Sequence, residues 1–281
     1  MIGIALGIVA ATVWGVAGVA GSLAARIVGP RRAIAWSMTL SMALALPLAL
    51  VSGLPGRIDA RTALWIALVA ACMLAGLVFV YAGVRFGSIS VVAPISATYG
   101  GVGALISILA GEPATALMLG AFALAVVGAV CAASSGTAEP GERYGNQRMA
   151  ALCGAGAALV WGIQLWAGGQ IQDDLGPSWL VASARMIGVI AVALPLLVRG
   201  GLRVPRHALP YLLVAGCGEV VGFTLFLVDS GYGIAQAAVL TGQYGTVAAL
   251  IGVVFLKERL RGIQYVGLAL IVVAIVGMSL G

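Results

Sequence analysis

Arg185 and Glu219 stand out chemically because apolar residues flank each on both sides, VASARMIGVI around the first and GCGEVVGF around the second. An ionisable group at the centre of a lipid-embedded helix costs roughly 2.5–3.5 kcal/mol on insertion scales, so each needs a partner, water or a role. Glu219 can take up a proton or bind a cationic group, while Arg185 neutralises it or holds a solute carboxylate. A fixed Arg185–Glu219 pair that only specifies helix packing fits the sequence equally well. Polar stripes accompany these charges. Tyr232, Gln236 and Gln243 recur at spacings of four and seven with Tyr244 beside them, which on a continuous helix puts them on one face. Trp161, Gln164 and Gly168 share a face in the same way, and Ser88, Ser96 and Tyr99 offer a third set. Each stripe can line a cavity, or can serve interhelical hydrogen bonds worth only about 0.6 kcal/mol. Trp14 and Trp161 fit a cavity wall, a packing contact or an interface anchor.

Other chemistries lack their parts. The single histidine, His207, falls in a loop, and no carboxylate pair, Cys-His set or metal-ligand spacing occurs. An enzyme is therefore not expected, nor any cofactor or metal. A pore needs a filter loop or a charged ring, and neither motif is present. The four cysteines, Cys72, Cys131, Cys153 and Cys217, lie within apolar segments and read as packing residues. A lipid-handling or accessory membrane protein remains open as the alternative to a transporter.

The elements that must position these residues follow from composition. The chain is 62% hydrophobic and 9% charged, with a mean hydropathy of +1.13. That much apolar surface requires lipid as solvent. Its apolar runs are about twenty residues long, too long and uninterrupted for barrel strands. The fold class expected is an all-α integral membrane protein with ten spans, at roughly 3–23, 33–52, 63–84, 88–109, 114–134, 149–169, 178–198, 208–229, 233–255 and 262–280. Pro47, Pro94 and Pro195 interrupt apolar runs and can kink them. In the first span Gly3, Gly7, Ala11, Gly15, Gly18 and Ser22 form a small-residue ridge suited to close packing, within the chain or against a second protomer.

The polar connection 135–148 separates a first half, 1–134, from a second, 149–281, and the halves are copies. Trp14-Gly15 matches Trp161-Gly162, Pro30 matches Pro177, Leu46-Pro47 matches Leu194-Pro195, and Glu112 matches Glu258. Arg185 and Glu219 have no charged counterpart; the equivalent positions are close to Ser37 and Met73. Five spans per half is an odd number, so the second copy must enter the membrane inverted. Loop charges agree: twelve of the 15 basic residues lie in loops after spans 1, 3, 5, 7 and 9, against Arg57 and Arg61 on the other side. Matching loops change sign, Arg26, Arg31 and Arg32 against Asp173 and Asp174, and Arg85 against Asp229. The basic loops are expected in the cytoplasm and both termini outside. This basic balance orients the chain and does not indicate nucleic acid.

Two five-span repeats, each ending in Gly-Glu or Lys-Glu, with the second running on as FLKERLRGIQYVGLALIVVAIVG, resemble the EamA family of the drug/metabolite transporter superfamily. Trp14-Gly15 and Trp161-Gly162 sit where that family often has a first-helix Trp-Gly. One departure is Tyr99, and Tyr244-Gly245 in the second copy, where the family commonly has a Pro about thirteen residues before the Glu. The resemblance implies a secondary transporter of small metabolites, amino acids or amphipathic compounds. Inverted halves suit alternating access, with proton coupling compatible. The expected cavity is lined mainly by spans 1, 4, 6, 8 and 9. Expected partners are a small-molecule substrate, the bilayer of a bacterial-type inner membrane and, with coupling, protons, in a monomer or homodimer. The terminal carboxylates, Glu112 and Glu258, are expected to face the positive end of the following helix.

Overall fold

The computed structural model describes residues 2–55, 58–86, 92, 95–133, 146–244, 247, 251 and 262–280, and among these the regular structure is entirely helical. In chain order the helices are α1 (Ile2–Val28), α2 (Pro30–Val51), α3 (Ala60–Phe86), α4 (Tyr99–Leu109), α5 (Ala116–Ala133), α6 (Gln147–Leu175), α7 (Pro177–Val198), α8 (Leu209–Ser230), α9 (Ile234–Thr241) and α10 (Gly262–Leu280). Six of them, α1, α2, α3, α6, α7 and α8, contain spans long and apolar enough to cross a membrane. Spans 4 and 9 of the sequence reading fall partly outside the described residues, and Ser88, Pro94, Gly245, Glu258 and residues 135–145 lie wholly outside them.

Local chemistry sets the helix ends. Gly29, at φ 84, closes α1, and Pro30 opens α2; Gly176, at φ 79, and Pro177 do the same between α6 and α7. Glycine tolerates that left-handed conformation, and proline at the first helical position has no N–H to leave unpaired. Asn146 caps α6 by accepting a hydrogen bond from the Met149 N–H. Pro47 is absorbed within α2. Pro195 is preceded by a π turn over Val189–Ala193, which accommodates the lost backbone donor inside α7.

The exterior is apolar: Val51, Val198 and Leu109 are among many exposed aliphatic residues, as a lipid-facing surface demands. The interior is built on small side chains. Ala10, Ala24, Ala35, Ala70, Ala125 and Ala274 are fully buried, which brings helix backbones close. Packing joins the halves repeatedly, α1 on α8, α3 on α6, α5 on α10, α4 on α9 and α2 on α7. The glycine ridge of α1 faces inward along much of its length. Gly3 and Gly7 abut Asp229, Tyr232 and Leu240, and Gly15 abuts Val247.

Candidate functional site

At the junction of the halves lies a cavity of about 260 Å³. Arg185 and Glu219 meet in its wall, Nη2 to Oε2 at 3.1 Å. Their environments differ: the Arg185 side chain is 3% exposed and that of Glu219 38%. Two sulfurs complete the surroundings of the guanidinium, with Nη1 3.2 Å from Met73 Sδ and 3.7 Å from Met38 Sδ. Arg185 Nε is buried with no hydrogen-bond acceptor among the described residues. Met73 is the position matched to Glu219 in the other half, and Met38 adjoins Ser37, the position matched to Arg185. The same locus is thus two thioethers from the first half and an ion pair from the second.

Aromatic rings supply the remaining walls. Trp14 stacks on Phe223 with centroids 6.3 Å apart, and Tyr99 meets Trp161 edge-on at 6.0 Å and Tyr244 at 5.7 Å. Each tryptophan fits a glycine notch on a helix of the opposite half. A β-carbon on Gly222 of α8 would lie 2.7 Å from Trp14 Cδ1, and one on Gly76 of α3 would overlap the indole of Trp161. Trp161 also donates its indole N–H to the Met73 carbonyl at 3.4 Å. Both rings are therefore interior side chains, and neither is an interface anchor.

Seven residues singled out from the sequence line this cavity: Trp14, Tyr99, Trp161, Gln164, Arg185, Glu219 and Tyr244. Three do not. Ser96 is buried outside it, and Gln243 is buried with its amide donating to the Val239 carbonyl at 3.1 Å. Gln236 lines a second cavity, of about 460 Å³, between the ends of α4 and α8 and the start of α9. Tyr232, Gln236 and Gln243 do not share one helix. The chain instead turns at Gly233 (φ 149), leaves Tyr232 in the turn, and ends α9 at Thr241 before Gln243. The walls also include residues of α2, α3 and α7 that the expected set of helices omitted, among them Ile34, Ser37, Met38, Met73 and Leu77. Met38 and Met73 carry no polar signal; only the match of Met73 to Glu219, and the place of Met38 beside Ser37, mark them.

Glu112 serves a different helix from the one expected. Its carboxylate oxygens accept from the Ala235 N–H at 3.0 and 3.2 Å, at the N-terminus of α9 rather than of α5. Asp229 is not a loop acid, since it is 2% exposed in the last turn of α8.

The family model that matches is that of the EamA-like transporter family, over residues 1–134 and 148–280. The chain belongs to that family. The chain is accordingly a multi-pass membrane protein of a transporter family. A crystal structure described only as that of a protein has the same fold, at a TM-score of 0.78 and 18% identity, covering 99% of this chain and 96% of that one. No curated protein matches the sequence.

Proposed function

We propose that this EamA protein is a secondary active transporter that carries a small solute by alternating access between two inverted five-helix halves. The observation that carries the reading is the aromatic cavity between the halves with the Arg185–Glu219 pair in its wall. Pairing that survives exchange of the halves supports a two-fold relation between them, and five helices per half make that relation an inverted one. If α1–α5 correspond to α6–α10, the contact of α1 with α8 becomes that of α6 with α3, while α2·α7, α4·α9 and α5·α10 map onto themselves. The Gly-Pro turns and the two Trp–Gly notches obey the same exchange.

The site chemistry favours a small amphipathic metabolite or amino acid. The ion pair is neutral overall, so a highly charged solute would find no compensating charge, whereas rings on both sides suit an apolar moiety. Orientation follows from the loops, with the basic connections in the cytoplasm of a bacterial-type inner membrane and both termini outside. Glu219, the more exposed partner, is the group that meets solute or proton.

Flux in proteoliposomes tests the reading. Saturable, gradient-driven uptake of a metabolite is expected of the native chain. Glu219→Gln keeps an acceptor for Arg185 but removes the charge, and is expected to lower uptake at least about tenfold and flatten its pH dependence. Unchanged uptake with unchanged pH dependence would remove Glu219 from the mechanism.

A further inference from the structure

Asp229 is a buried acid that the cavity does not use. It is 2% exposed, and its Oδ2 is enclosed with no hydrogen-bond partner among the described residues. It is wedged between α8 and α1, where a β-carbon at Gly3 would come 2.9 Å from Oδ1 and one at Gly7 2.8 Å from Oδ2. Only glycine leaves room for the carboxyl at these two positions.

Among the described residues the surrounding elements offer no cationic side chain to it; the amino group of Met1, two residues before Gly3, lies outside the described residues. α1 has no ionisable side chain before Arg26, at its far end. α9 contributes Leu240 beside Gly7, and the turn after α8 contributes Tyr232. On α6, Gln172 approaches Gly231 and donates to the acid Asp173. Glu112, bound to the start of α9, is another acid. α7 presents Arg185, engaged with Glu219 ten residues earlier on α8, about 15 Å away along the axis. α2 carries Arg31 and Arg32 at the end where Ala33 packs with Ala208 and Leu212, the start of α8. With no cationic side chain against it among the described residues, an ionised Asp229 would be desolvated at a cost that the neutral acid avoids.

The equivalent contact in the other half needs no acid. Gly83 of α3 stands for Asp229, as Gly76 does for Gly222, and it packs on α6, where a β-carbon on Gly83 would lie 3.0 Å from Cys153 Cβ. Small apolar groups close that seam, so the carboxyl at the α1–α8 seam is not a packing requirement. Ser230 and Tyr232, directly after Asp229, line the second cavity, which supplies a place for water beside the seam.

We propose that Asp229 is a proton-binding site that gates the outer end of the α1–α8 seam. Closure transfers one proton from hydronium in the adjoining cavity to Oδ2, breaking one O–H bond, forming another and leaving water; parting of the helices hydrates the acid and returns that proton to water as hydronium. The gate rests on the alternating-access reading, but its proton can be detected without a solute. Infrared spectroscopy of the protein in liposomes at about pH 7 is expected to show a carboxylic-acid C=O band that shifts on [4-¹³C]aspartate labelling. The band should be absent from Asp229→Asn and retained in Glu219→Gln. An aspartate band missing from the wild type, or unchanged in Asp229→Asn, means an ionised Asp229 and overturns the proposal, while leaving transport untouched. Absence of flux for every solute, with the band present, would instead defeat the transport reading alone. The gate itself is read by an impermeant maleimide on Ser230→Cys with the four native cysteines replaced by alanine. Relative to the same chain carrying Asp229→Asn, labelling should rise by up to about tenfold per pH unit as the acid ionises; a ratio independent of pH overturns the gate.

Discussion

Arg185 and Glu219 differ most in what each would leave behind. With Glu219 gone, a guanidinium on a side chain 3% exposed is left, among the described residues, with thioether sulfurs as its polar contacts. Glu219→Met is therefore expected to cost about 3–5 kcal/mol. Arg185→Met leaves a carboxylate that is 38% exposed and can hydrate, at about 1 kcal/mol or less. The double variant gives the second half thioethers like those of Met38 and Met73, and should recover most of the loss. Thermal unfolding of the three proteins checks the order. The charges were legible in the sequence because they interrupt apolar runs, and their sulfur neighbours were not, because methionine in an apolar helix carries no pattern. Asp229 was misread for a related reason. An acid at the edge of a span resembles a loop acid until Gly3 and Gly7 are seen closing over it.

Helices here are positioned by what their glycines admit. Gly222 and Gly76 hold the indoles of Trp14 and Trp161, so Gly222→Ala or Gly76→Ala should each destabilise by about 1–3 kcal/mol through overpacking. Gly120, on the exposed face of α5 with no neighbour near its β position, is the control. Gly120→Ala should stabilise by about 0.5–1 kcal/mol. Melting temperatures of these variants separate notch from spacer. Sequence spacing located the Gly-Pro turns and both tryptophans because such signals are local. It misassigned Gln236 and Gln243 because helical periodicity was carried across the Gly233 turn, and it gave Glu112 to the next helix because long-range caps leave no local trace.

Across the whole molecule, a repeated architecture encloses a cavity whose ion pair breaks the repeat. The duplicated family match, the reciprocal packing of α1 on α8 and α3 on α6, and the paired tryptophans all belong to the scaffold. Arg185 and Glu219 belong to the second half alone. If the cavity they share is where solute binds, stability and recognition should come apart in the Arg185→Met/Glu219→Met protein. The direct measurement is a thermal-shift screen of native and doubly substituted protein against the same metabolites. A ligand present at 100 times its Kd stabilises the folded state by about 2.7 kcal/mol. The expected result is a metabolite that raises the native melting temperature and leaves the double variant, itself folded, unmoved; an equal rise in both proteins would contradict the assignment of this cavity as the solute site.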